Sequence, residues 1–202
     1  MKYRQILMFV AMIVSVGCSG GARGMKPATA PTYTPAAGMA TLVFARHTTF
    51  GASVNFVAVD QNKRFVAAVR GKAHAITQLP PGQYTFYVIA ETTDPVRATI
   101  EAGRTYVIET RVRPGVWKAQ ATAEAVRRNT PRFAEASGWI KNSSPIVPEG
   151  TDGQVWVDEH AEDIAQRIAK VDAVFSTKDA EWQAAHTLTA EDGFLPNELQ
   201  LN

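Results

Sequence analysis

A single cysteine stands among the 202 residues, so a disulfide framework, which needs at least two, is excluded. Long apolar runs are lacking too. The most apolar stretch, Ile6 to Val14, has nine residues, against the roughly 20 that cross a bilayer as a helix. Charge of one sign is scarce, because 21 Lys and Arg face 19 Asp and Glu. Motifs that carry catalysis are missing as well: there is no phosphate-binding loop, no G-x-S-x-G elbow and no H-E-x-x-H. His47, His74 and His186 are scattered. The nearest metal-like cluster, Asp158-Glu159-His160-Ala161-Glu162-Asp163, lacks a second histidine or a cysteine. Its acids are explained by the dipole at the start of a helix.

What is present begins with an address. Met1-Lys2-Tyr3-Arg4-Gln5 carries two cations and no acid, and the apolar run leads through Ser15-Val16-Gly17 to Cys18. That order is a secretory signal. Ser15-Val16-Gly17-Cys18 resembles the bacterial lipobox, with Ser15 where leucine is usual. The resemblance implies cleavage before Cys18, lipidation of Cys18 with three acyl chains, and a membrane anchor that is effectively permanent. Ser19 in place of Asp after the cysteine implies the outer membrane, with the body on the periplasmic or surface side. Lipidation would also use up the only thiol and exclude thiol catalysis. Loss of residues 1–17 removes Lys2 and Arg4 and leaves 19 basic and 19 acidic side chains. A neutral chain argues against a nucleic-acid partner, which demands a basic surface.

Residues 18–39 are read as the acylated cysteine and a flexible linker, since Gly, Ala, Pro and Thr dominate without apolar periodicity. From Ala40 to Arg128 the pattern changes to short runs of period two. Strands are expected at Ala40 to His47, Ser53 to Asp60, Arg64 to Arg70, Ala73 to Leu79, Gln83 to Glu91, Pro95 to Glu101, Thr105 to Arg113 and Val116 to Thr122. Leu42/Phe44, Phe56/Ala58, Tyr84/Phe86/Val88 and Tyr106/Ile108 give each strand one face for a shared core. Turn residues such as Pro80-Pro81-Gly82, Ala102-Gly103 and Pro114-Gly115 separate the strands. The expected fold is mainly β, a seven- to eight-stranded antiparallel β-sandwich over residues 40–128 followed by a C-terminal helical extension.

Two turn-strand segments, Leu79-Pro80-Pro81-Gly82-Gln83-Tyr84-Thr85-Phe86 and Ala102-Gly103-Arg104-Thr105-Tyr106-Val107-Ile108, resemble those of PEGA-like bacterial surface domains and of a bacterial lipoprotein family with the same sandwich. The resemblance implies a prealbumin-like or carboxypeptidase-regulatory-like module, usually non-catalytic and attached to an envelope anchor. Members of the simpler type end soon after the last strand, whereas this chain continues.

The continuation, residues 129–202, opens with an irregular stretch to about Gly150. A helix should follow, because Thr151 and Gln154 have capping-box spacing and Val157, Ala161, Ile164, Ile168, Val171 and Phe175 form one stripe. A shorter helix is expected around Lys178 to Thr187. Residues 40–128 hold 12 cations and 6 acids, and residues 151–192 hold 3 and 10. Opposite signs favour docking of the helices on the body, with a partner helix as the alternative occupant of the stripe. Tyr87, Arg111, Arg113 and Trp117 make a candidate platform for stacking a sugar or peptide, unless the extension covers them. The expected role is non-catalytic, binding or structural, in the cell envelope. Its partners would be the membrane, through the lipid anchor, and an envelope protein or peptidoglycan; the alternatives are a glycan-binding module or an envelope hydrolase. No cofactor or metal is implied.

Overall fold

Every residue of β2 (Ala40–Arg46) is buried, so this strand has no solvent face and needs a covering layer on each side. The computed structural model describes residues 21–113, 120–199 and 201. Its remaining strands are β1 (Met25–Pro27), β3 (Asn55–Val59), β4 (Phe65–Arg70), β5 (Ala73–Leu79), β6 (Gly82–Ile89), β7 (Thr93–Ile100), β8 (Thr105–Arg113), β9 (Gln120–Ala125), β10 (Ser144–Pro148) and β11 (Thr187–Leu188). The helices are α1 (Pro131–Lys141), α2 (Asp152–Glu159), α3 (Ala161–Phe175) and α4 (Ala180–Ala185). The protein is therefore mainly β with a C-terminal helical part. One sheet runs β1-β10-β5-β2-β8-β9 and the other β11-β7-β6-β3-β4.

Alternate residues of the same strands go to different cores, as the two-residue period of a strand requires. Leu42, Phe44, Phe56, Ala58, Phe86, Val88, Tyr106 and Ile108 lie in one cluster shared by both sheets. On the other face of the second sheet, Val57, Val59, Tyr87 and Ile89 pack with Val157 of α2 and Ile164 of α3. On the other face of the first, Val43, Ala45 and Val107 pack with Ala136 and Ile140 of α1 and with Phe194 and Leu199 of the tail. Burying one such aliphatic or aromatic side chain contributes about 1.5–3 kcal/mol. Each outer cluster is thus a cohesive layer in its own right.

Several expectations need correction. The sheets are mixed: β2 pairs in parallel with β8, β5 with β10 and β7 with β11. The eleven described strands exceed the seven or eight expected, because β1, β10 and β11 come from stretches that lack apolar alternation. Residues 129–150 hold α1 and β10 rather than irregular chain. The stretch read as a linker includes β1, which pairs with β10, and its Ala22 is buried among α2, α3 and the second sheet. The expected single helix from Thr151 divides at His160, whose backbone (φ −112°, ψ 16°) leaves the helical region while its ring bonds the Trp156 carbonyl. Thr151 makes no side-chain cap; Gln154 instead accepts from the Phe65 amide. The capping box forms further on, between Thr189 and Asp192. The expected strand at Val116 lies outside the described residues up to Ala119, and pairing resumes with β9.

The N-terminal strap is fitted closely to the body. Gly24 has φ +66°, and a Cβ there would meet the Gly153 backbone at 2.6 Å. A Cβ on Gly153 would lie 2.5 Å from the Phe65 ring. Further along, Tyr33 meets His74 of β5, which is 1% exposed. Ser143 Oγ donates to the Trp139 carbonyl, so it accepts from His74 Nδ1 at 2.8 Å. That tautomer leaves Nε2 to accept from the Tyr33 hydroxyl at 2.7 Å. Burial lowers the His74 pKa to about 4.

Two outcomes follow from this packing. Gly153→Ala should lower stability by roughly 1–3 kcal/mol, the cost of overpacking, read as a reduced urea midpoint. His74 binds its proton more readily unfolded, at its ordinary pKa of 6.5, than folded, at about 4. Its contribution is complete above pH 6.5 and falls away as pH drops toward 4, by about 3 kcal/mol. A His74→Gln chain titrated with urea over that range should lack this component; an unchanged pH slope would refute it.

Candidate functional site

Two carboxylates face one another directly in the antiparallel register of β8 and β9, Glu109 opposite Glu124. Like charges so placed repel, and both side chains are largely buried. Four cationic or potentially cationic groups compensate. His47 Nε2 lies 2.9 Å from Glu109 Oε1, Arg111 reaches Glu109 at 3.5 Å and Glu124 at 3.0 Å, and Arg113 pairs with Glu124. Arg132, in the first turn of α1, bridges both carboxylates. The His47 ring is sandwiched further by Trp139 of α1, parallel within 9° at 4.5 Å. The network thereby fastens α1 to the edge of the first sheet.

Beside this network lies a cleft of about 590 Å³, between β9, the start of α1, and α4, lined by Arg113, Glu124, Arg127, Arg132, Trp182 and His186 among others. Its volume falls in the range of small-molecule sites. Two of its three arginines, Arg113 and Arg132, are tied to Glu124. Arg127 is half-buried and has no ion pair among the described residues. Two aromatic rings line the cleft: Trp182 stacks on His186 at 3.7 Å, and buried Phe175 meets Trp182 edge-on at 5.4 Å from outside the lining. Arg97 lies 3.7 Å over Phe175. His186 is 3% exposed; its Nδ1 donates to the Trp182 carbonyl, and its Nε2 faces Asp94 at 3.9 Å. Asp179 caps α4 by accepting from the Trp182 amide, which fixes the indole at the cleft. The lining also includes Asp179 and Glu181.

Just outside the cleft, Arg128 gathers the C-terminal tail. Its guanidinium donates to both Glu198 carboxylate oxygens and to the Glu191 and Gly193 carbonyls, and its amide donates to Asp192. It also covers the Phe133 ring at 4.6 Å. Hydrogen bonding from Arg128 holds the Glu198 carboxyl down to about 2.

The platform expected from the sequence is not assembled as one surface. Tyr87 is 5% exposed, covered by α3, and its hydroxyl donates to Asp172. Arg111 and Arg113 lie on the other sheet and are engaged with Glu109 and Glu124. Trp117 and Cys18 lie outside the described residues. In the acidic run, Asp163 pairs with Arg167, and no group of three or more metal-ligating side chains occurs among the described residues. The helices meet the body mainly through apolar side chains, while the arginines near Glu109 and Glu124 are paired within the body and α1. Arg127, Arg132, Trp182 and His186 were not singled out as a binding group by sequence reading. The doublet Arg127-Arg128, ahead of a proline-started helix, was the available signal. A scan against protein-family models finds no match for the chain, and a search of curated proteins finds no relative.

Removing Arg132 would take away one of the two arginines that bridge the facing carboxylates and leave Arg111 to bridge them alone. Arg132→Met should destabilise the fold by roughly 1–3 kcal/mol, the cost of leaving a buried polar group without its partner. Adding Glu124→Gln should restore a large part of that loss, and a double-mutant cycle in urea measures the coupling. Additive losses would contradict the proposed role of Arg132.

Proposed function

We propose that this chain is a lipid-anchored protein of the bacterial outer membrane, with a PEGA-like sandwich as its body and a non-catalytic binding or structural role in the envelope. The anchor rests on Cys18 and the charged-apolar-small order before it. The observation that carries the binding role is the cleft at Arg127. It joins a guanidinium that has no ion pair among the described residues to the stacked rings of Trp182 and His186, with neighbouring arginines held by Glu124. Such a surface suits a ligand that presents a carboxylate beside a flat or apolar ring face. Stem peptides and sugars of the cell wall have both features, which favours peptidoglycan as the partner over a glycan without acidic groups. Asp179 and Glu181 in the lining would receive an ammonium group on the same ligand.

Purified full-length protein should be retained on isolated cell-wall sacculi, and Arg127→Ala should weaken retention by roughly tenfold, as loss of one charge-assisted hydrogen bond does. Cys18→Ser should abolish incorporation of an alkyne-labelled fatty acid and leave wall retention intact. Equal retention of the Arg127→Ala chain would overturn the assignment of the cleft. Release of soluble wall fragments would replace the binding role with hydrolysis.

A further inference from the structure

The strap leaves little chain between the anchor and the folded body. Three residues separate Cys18 from buried Ala22, and four extended steps of at most about 3.6 Å each span roughly 14 Å in all. The body therefore cannot stand off from a membrane that holds Cys18. The place where the chain enters the body is also defined. Ala22 packs beside Val157 and Ile164, at the junction of α2 and α3, and the next residue, Arg23, lines a cleft of about 540 Å³.

Arg23, Asn55, Glu91, Trp156, Asp163 and Arg167 are among the residues around that cleft. Arg23 is exposed and has no ion pair among the described residues. Arg167 uses Nε on Asp163 at 2.7 Å and directs one terminal nitrogen to the Ala90 and Glu91 carbonyls at 3.4 and 3.5 Å. The Asn55 amide oxygen is buried and accepts no hydrogen bond from the described residues. Trp156 stacks on the ring of His160 at 4.5 Å, and His160 Nδ1 is held by the Trp156 carbonyl. Its Nε2 is thereby left over as the reactive nitrogen of an exposed ring. The loop entering the cleft is fixed from beneath by Arg46, whose buried guanidinium donates to the Phe50, Gly51 and Val54 carbonyls.

We propose that this cleft receives the headgroup of a phosphatidylethanolamine molecule from the membrane that carries the anchor. The placement at the bilayer rests on lipidation of Cys18, whereas the recognition chemistry belongs to the cleft alone. Phosphate meets the guanidinium groups of Arg23 and Arg167. The primary ammonium donates to the Asn55 oxygen and lies between Glu91 and Asp163. Trp156 sits where an indole is favoured, between apolar chain and water. A zwitterionic lipid fits better than an anionic one, because Asp158, Glu159, Glu162 and Asp163 surround the α2–α3 junction. Choline fails for a different reason: its quaternary nitrogen has no N–H to offer Asn55.

Reaction of His160 with diethylpyrocarbonate, followed by peptide mass spectrometry with His47 as internal reference, reports occupancy. On the full chain held by its own anchor in vesicles, equal parts phosphatidylethanolamine and phosphatidylcholine should slow His160 modification roughly tenfold relative to phosphatidylcholine alone, the effect of one charge-assisted hydrogen bond. Arg23→Glu should remove the protection, and Asn55→Asp should preserve it. A Cys18→Ser chain in solution, given glycerophosphoethanolamine, should show the same protection without any membrane, while inorganic phosphate should give none. Protection by the soluble headgroup, together with no fatty-acid uptake by the unsubstituted chain, would sink the anchor and uphold the cleft. Equal His160 rates with and without ethanolamine, in vesicles and in solution, would overturn the cleft assignment. So would protection that survives Arg23→Glu.

Discussion

Strands that are apolar on both faces impose the constraint from which the rest of this architecture follows. Neither sheet can leave its outer face to water, since Val43, Ala45 and Val107 on one and Val57, Val59, Tyr87 and Ile89 on the other are as buried as the residues between the sheets. The chain meets that demand with its own ends. Helices α2 and α3 cover one face, and α1 with the tail covers the other. The N-terminal strap closes against the first, through Ala22 and the contact of Gly24 with Gly153. Burial of apolar area is non-directional, so direction comes from polar fasteners at the margins of these layers: Arg46, His74, Arg128 and the Glu109–Glu124 network.

Those fasteners also explain where the open surfaces lie. Arg132 is drawn to two facing carboxylates and brings the start of α1 beside β9, which leaves a cleft against α4. Arg46 holds its loop down and shapes a second cleft beside the strap. In each case a buried charge meets several fixed partners, and the lining keeps an arginine with no ion pair among the described residues. A rigid surround lowers the ordering cost that a ligand would otherwise meet.

Much of the body was legible locally. The limits of β5 and β8 coincide with the runs Ala73 to Leu79 and Thr105 to Arg113, because turn residues and period-two alternation act over a few neighbours. The stripe through Val157, Ile164 and Phe175 likewise marked the face that is buried. A further signal was present in the alternate set, Val43, Ala45, Val57, Val59 and Val107, whose apolar character foretells covered outer faces. Strands β1, β10 and β11 were illegible for the opposite reason. Met25–Pro27, Ser144–Pro148 and Thr187–Leu188 are too short or too rich in proline to alternate, and they are strands only because a sheet edge accepts them.

By itself the sequence determined the period-two strands, the amphipathic helices, the leader-like start and the balance of charge, all of which depend on residues close together in the chain. Tertiary structure alone decided that β8 lies parallel to β2, that Glu109 faces Glu124 and draws in His47 and Arg132, and that Arg127 shares a cleft with Trp182. It also decided that the proline-rich segment from Ala22 onward packs as a strap rather than a free linker. Such contacts join residues tens to more than a hundred positions apart, and their partners are chosen by whichever surfaces the folded layers bring together, which no local pattern records.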